Sequence, residues 1–213
     1  MDDENRMQIE GDLQARIELG LSSEPDTVKE FRKMTARWQK PLEDQYELAM
    51  VMLLIQFAEQ YQDSPLGEEL AKRNSELDRL IRRQAQVLAN RQMKKLDRRL
   101  QKTNRRIVKE EEEQSLEDDS ILASRLWGKN RAEAIAITET TTAINIGEHE
   151  AVQIAKQQFG MDAYAVWFTA EDERVCPRCL PFHGTKEDVW GDEFPYGGPV
   201  HVRCRCSLVW YVK

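Results

Sequence analysis

All four cysteines of this chain fall between positions 176 and 206, in two short clusters, and nothing else in the sequence limits its fold so sharply. Cys176 and Cys179 bracket a Cys-x-x-Cys turn stiffened by Pro177. His201, Cys204 and Cys206 form the second cluster, approached through Gly197, Gly198 and Pro199. Thiolate and imidazole donors on two turns about 20 residues apart are what a tetrahedral structural zinc needs. Disulfides and free buried thiols are the competing readings. The rest of the chain has no cysteine and the N-terminus is acidic with no signal peptide, so a reducing, cytoplasmic setting is expected. Five candidate ligands compete for four places: Cys176 and Cys179, then two from His201, Cys204 and Cys206. Strand alternation favours Cys204 and Cys206 on one face. His201 is either a ligand or a hydrogen-bond partner for a thiolate. His183 reads as a surface turn residue.

The chain has 213 residues, 32% of them charged and 8% aromatic, with a net charge of -7 spread unevenly. That polarity predicts an extended helical portion beside a small module. The fold class expected is α+β, mainly α: long N-terminal helices, then a zinc-stapled C-terminal domain with a short antiparallel sheet. Three regions follow: a mobile acidic tail over 1–22, a helical arm over 23–119, and a C-terminal domain over 120–213. The longest apolar run, 48–57, is too short to span a membrane.

Ser22 and Ser23 can cap a first helix that Pro41 ends or kinks. A second helix, about 42–61, is apolar around most of its circumference and calls for burial on several sides, in a bundle core or against a large partner. After a turn at 63–67, one long coiled-coil-like helix is predicted over about 66–109, its seam broken by Gln84, Arg91 and Thr103. Its other faces are basic. Arg82, Arg83, Lys94, Lys95, Arg98, Arg99, Arg105 and Arg106 are candidate contacts to the phosphates of double-stranded DNA. An acidic partner surface, including the run 110–119, is the alternative. No aromatic residue interleaves with the bases of this tract, so single-strand stacking is not expected and any DNA contact is backbone-directed. The acidic run reads as a linker. A short helix over 120–127 closes at Gly128; Asn130 can cap the next, which Thr140 to Thr142 and Gly147 weaken enough to break in two, and which Gly160 closes. The β-type runs 163–169 and 206–213 are predicted to pair antiparallel, with the metal tying the loop between them.

Catalytic patterns fail. His149 is followed directly by Glu150, and the first knuckle is Cys-Pro-x-Cys, so neither half of the zinc deaminase signature is met. Gln153 stands where a metalloprotease helix needs its second histidine. A zinc held by four protein ligands leaves no open position. No catalytic residue is assigned. Arg131, Glu139, Asp172 and Arg174 are expected to form a salt-bridge network near the knuckle, the one constellation that keeps an enzyme alternative, a nuclease or toxin-like transferase, in view.

A composite pattern runs through these residues: Arg131-Ala132, Ile135 and Thr138-Glu139; then Trp167, Thr169, Asp172 and Arg174-Val175-Cys176-Pro177-x-Cys179; then Gly184, Pro199 and His201-x-x-Cys204-Arg205-Cys206. In that order the stretch from about 122 to 212 resembles the phage head morphogenesis family, the Mu F-like minor head proteins. The chain departs from the usual pattern at Val202, where the family commonly has proline, and around 180–184. The resemblance implies a minor capsid component of a tailed phage or prophage, present in few copies in the virion and the host cytoplasm. It also implies a role in head assembly and DNA delivery, with portal and other head proteins as partners.

Overall fold

The computed structural model describes residues 38–60, 68, 75–113, 125, 128–170 and 172–212. The expected acidic tail, the helix before Pro41, the turn at 63–67 and the short helix over 120–127 lie outside the described residues, apart from Trp38 and Arg125. The described fold is mostly helical with one small sheet. Its elements are α1 (Gln39–Gln60), α2 (Ser75–Glu113), α3 (Lys129–Phe159), β1 (Ala163–Phe168), a 3-10 turn (Leu180–Phe182), the one-turn α4 (Glu187–Trp190) and β2 (Ser207–Val212).

The second apolar helix begins earlier than its composition suggested. Pro41 stands in the first turn of α1, where its missing N–H breaks no helical bond, and Leu42 N–H donates to Trp38 O at 3.1 Å. Proline therefore stands in the opening turn of this helix. The all-round apolar character has the expected outcome: Leu42, Tyr46, Met50, Leu53, Leu54 and Phe57 are buried, and α1 packs on both α2 and α3. Polar pairs set the directions. Gln39 Nε2 donates to Asn90 Oδ1 at 2.9 Å and Arg82 Nε to Glu47 Oε1 at 3.2 Å, so α1 and α2 run antiparallel. Gln92 reaches Glu139 and Arg131 reaches Asn104, so α2 and α3 are antiparallel too.

The long basic helix is one piece, and its buried stripe is Leu77, Ile81, Ala85, Leu88, Ala89, Gln92, Leu96, Leu100 and Ile107. At 1.5 Å per residue its 39 residues reach ~58 Å. The polar Gln92 in the stripe donates through Nε2 to Glu139 O and Oε2 across the interface, at 2.9 and 2.8 Å.

α3 does not break. Its N-cap is Gly128, with no side-chain cap bond, so Asn130 lies inside the first turn and is not the cap. The β-branched threonines stay helical: Thr138 and Thr142 bond back to Ala134 O (2.6 Å) and Thr138 O (2.7 Å), while Thr141 is engaged elsewhere. Gly147 is a contact point, not a weak point: a Cβ there would lie 2.9 Å from Ala49 Cβ and 3.3 Å from Tyr46 O. Its missing side chain lets α1 seat against α3. Gly160 ends the helix in the left-handed region (φ 68°), with its own N–H on Lys156 O and that of Met161 on Ala155 O, the paired bonds of a Schellman close.

β1 and β2 pair antiparallel from Ala163 with Val212 to Phe168 with Ser207, as the β-type runs predicted. One face, Ala165, Trp167, Leu208 and Trp210, is buried. A two-stranded sheet alone is marginal. Here one apolar cluster joins its inner face to α1, α2, α3 and the cysteine loop, with Trp167 and Trp190 fully buried in it.

Replacing Gly147 by leucine should therefore cost about 1–3 kcal/mol by overpacking. Urea unfolding monitored by tryptophan fluorescence would register it. A Gly147→Leu protein as stable as the parent would mean that α1 does not press on α3 there.

Candidate metal centre

The first knuckle is a tight turn: the N–H groups of Cys179 and Leu180 both donate to Cys176 O, at 3.0 and 3.2 Å. The 3-10 turn follows directly. Gly184, in the left-handed region at φ 72°, brings the chain back beside β1, where Gly184 N–H bonds Trp167 O (2.8 Å) and Trp167 N–H bonds Thr185 O (2.9 Å). Trp167 then packs on Phe182, Trp190 and Phe194 with ring centroids 5.2–6.0 Å apart. His183 is not simply a surface turn residue. It is half-buried, its Nδ1 accepts from Thr169 N–H at 3.3 Å and lies 2.9 Å from Thr169 Oγ1, and its ring meets Phe168 edge-on. It ties the end of β1 to the loop and stands outside both donor groups.

The second knuckle hangs from α3. Thr141 Oγ1 donates to Cys204 O (2.8 Å), and Asn145 Nδ2 to Gly198 O (3.0 Å) and Cys206 O (3.3 Å). Arg203 N–H donates to Thr138 Oγ1 at 3.0 Å, with Arg203 itself at φ 63°. Positions 138, 141 and 145 follow helical i, i+3, i+7 spacing, so one face of α3 carries a row of polar groups matched to loop carbonyls and an amide. The sequence placed Thr138 only in the composite pattern and Thr141 only among helix-weakening threonines, and gave Asn145 no role. The readable signal was their spacing within an otherwise small, apolar face.

The five candidate donors come together in two triads that share Cys179: Cys176, Cys179 and His201, and Cys179, Cys204 and Cys206. Both can hold a metal ion. Cys176 Sγ lies 3.3 Å from Cys179 Sγ and 2.9 Å from His201 Nε2, Cys179 Sγ 3.3 Å from His201 Nε2, and Cys179 Sγ 4.0 Å from Cys204 Sγ. Bonds of 2.0–2.3 Å in a tetrahedron place donors roughly 3.5–3.8 Å apart, so these separations fit a tetrahedral ion with small adjustments. His201 Nδ1 lies 2.8 Å from Val202 O. That bond fixes the proton on Nδ1 and leaves the Nε2 lone pair aimed at the sulfurs, the tautomer a metal ligand requires.

The thiols already share protons unequally. A hydrogen bond from Cys206 draws Cys204 down to about 5 and pushes Cys206 up in return, with burial adding to the rise. Burial, then the bond with Cys176, pushes Cys179 up to about 12. At Cys176 burial opposes ionisation, but the bonds from Cys179 and from backbone N–H groups, with His201 nearby, leave it below the usual thiol value. In each pair one thiol is shifted down and its neighbour up. A bound cation takes the place of the shared protons.

The expected network of Arg131, Glu139, Asp172 and Arg174 is not one network. Glu139 is buried against α2, bound by Gln92 Nε2 (2.8 Å) and Arg99. Arg131 Nη2 donates to Asn104 Oδ1 at 2.6 Å. Asp172 accepts from Arg205 Nη2 at 2.7 and 2.8 Å and lies 3.9 Å from Arg174 Nε. The sequence put these residues together because each flanks a knuckle or caps a motif, but α3 presents 131 and 139 to α2, away from the loop. All eight candidate phosphate contacts lie on α2 and are exposed. Three of them also make ion pairs: Arg82 with Glu47, Arg99 with Glu139, and Arg106 with Glu110.

A buried asparagine that satisfies two loop carbonyls is costly to lose, so Asn145→Ala should destabilise the chain by about 1–3 kcal/mol in thermal or urea unfolding. For Asp172, the hydrogen bond from Arg205 holds the carboxyl below its ordinary range. A depressed folded pKa stabilises the fold above the unfolded carboxylate pKa, and that stabilisation fades as pH falls through the folded value. Asp172→Asn should thus lower the urea midpoint at neutral pH and converge with the parent in strong acid.

Among known families, the model described as Phage Mu protein F like protein matches residues 101–209, just over half of the chain and all five donors. Neither a curated protein nor a solved structure matches.

Proposed function

The chain belongs to the Phage Mu protein F like family and is thus a phage head-related protein, and from that premise we propose that it is a structural minor head protein of a tailed phage or prophage. It acts in head assembly and in packaging or delivery of the genome, through contacts with portal and other head proteins and with DNA. The observation that carries this reading is the family match, which spans the C-terminal end of α2, all of α3 and both knuckles. Its setting is the virion, reached from the host cytoplasm. No helix among the described residues is long and apolar enough to cross a membrane.

The bound ion is zinc, in a structural role. Cys176, Cys179 and His201 supply three ligands and the second triad the fourth, Cys204 or Cys206. When bound, zinc supplies folding energy by clamping the two turns, and with four protein ligands it keeps no position for substrate. The chain's own part is to hold the turns in place before binding: Thr138, Thr141 and Asn145 fix the second, and the packing of Phe182 and Trp167 fixes the first. By this reading the C-terminal domain, 120–213, is the stapled module and the helical arm, 23–119, presents surfaces to partners.

Elemental analysis of the purified, reduced chain should return about one zinc per chain. Cys179→Ser, which touches both triads, should abolish it and lower the thermal midpoint to that of the chelator-treated parent. Whichever of Cys204→Ser and Cys206→Ser keeps its zinc identifies the spare thiol. In the phage, Cys179→Ser should deplete the chain from purified heads, and portal protein should capture the parent but not the variant. Normal, infectious heads that lack the chain entirely would overturn the assembly role.

A further inference from the structure

The exposed side of α2 between residues 91 and 109 carries nine lysines and arginines and one acid, Asp97. That density of one sign stands out in a chain whose net charge is -7. Not all of these cations are available. Arg99 is committed to the buried carboxylate of Glu139, and Arg106 pairs with Glu110 at 3.4 Å. Six others, Arg91, Lys94, Lys95, Arg98, Lys102 and Arg105, are exposed and make no ion pair among the described residues. They follow one another at i, i+3 and i+4 steps, which puts them on one ridge. The ridge faces away from the stripe of Gln92, Leu96 and Leu100 that seats α2 on the bundle.

We infer that this ridge is a contact surface for the phosphate backbone of duplex DNA, and that Arg82, Arg99 and Arg106 are not part of it. The inference rests on the head-protein reading only for the source of the duplex. The ridge spans ~21 Å from Arg91 to Arg105, a length over which a duplex presents about a dozen charges. Six fixed cations in that length are well matched to one groove edge. The surface lacks what a protein partner would need. The large exposed apolar side chains, such as Leu180, Val189, Tyr196, Val202 and Tyr211, all lie off α2, so the ridge has no apolar centre around which a protein interface forms. Aromatic residues are also missing from it, so bases of a single strand find no stacking platform. Phosphate contact needs neither, and predicts binding without sequence preference.

The test is fluorescence anisotropy of the full-length chain with a mixed-sequence duplex across a salt series. With six contacts, log K should fall linearly with log salt at a slope near -5, a loss of about 10³-fold between 50 and 200 mM. Lys95→Gln/Arg98→Gln should flatten the slope by about 2 with an unchanged circular dichroism spectrum. Arg82→Gln, which removes the arginine paired to Glu47, should leave it unaltered. A single strand of the same length should bind with a shallower slope, and polyglutamate should compete poorly. Absent or salt-insensitive binding, an equal effect of Arg82→Gln, or polyglutamate competing as well as duplex would overturn the assignment. Such a failure would remove the DNA contact from the proposed function but would leave zinc content and head incorporation untouched, so the head-protein reading is judged separately.

Discussion

The bonds from one face of α3 to the backbone of the second knuckle are the constraint on which the C-terminal module rests. A loop carrying two cysteines and a histidine has no intrinsic shape. Its carbonyls must be satisfied somewhere once it is buried, and Thr141 and Asn145 satisfy those of Cys204, Gly198 and Cys206 from a rigid helix. Thr138 takes the amide of Arg203 at the left-handed turn. With the backbone so fixed, the sulfurs of Cys204 and Cys206 have a defined position relative to Cys179 before any ion arrives. The Thr138-Glu139 pair in the composite sequence pattern acquires a physical meaning here: the hydroxyl serves the loop and the carboxylate serves α2.

Much of this was legible in the sequence, because the strongest signals were chemical. Cys-x-x-Cys and His-x-x-Cys-x-Cys specify donors on turns, and the structure brings all five donors into two triads sharing Cys179. The two β-type runs paired as expected, and Gly160 closed α3. What was not legible depended on partners distant in sequence. Gly147 reads as a helix breaker only if Ala49 and Tyr46 are ignored, 98 and 101 residues away. The threonines of α3 weaken an isolated helix, but here Thr140 and Thr141 are fully buried in the packed fold and Thr141 bonds the second knuckle. Pro41 can stand at either end of a helix, and the bond from Leu42 N–H to Trp38 O places it in the first turn of α1. The polar quartet failed because nearness to a motif in sequence does not say which way a helix turns its side chains.

The charge on α2 shows the same division between composition and geometry. Composition gives a basic helix. Geometry divides it into cations spent inside the fold and cations left outside. Arg99 neutralises a carboxylate that is 3% exposed, and an unpaired charge at that depth would cost several kcal/mol. It is a structural residue despite standing in a tract of solvent-facing arginines. Glu139 in turn lets Gln92 sit within an apolar stripe, so the interface between α2 and α3 is keyed by one polar cluster flanked by alanines and leucines.

Thr138 and Glu139 are neighbours on the chain, one gripping the loop of the second knuckle and the other gripping α2. A force applied along α2 is therefore delivered across a single peptide bond to the loop that carries three of the five donors. Glycine at 147 lets α1 clasp the same helix about two turns further on, so α3 cannot yield by bending away. The long helix and the small module are, mechanically, a lever and its anchored fulcrum.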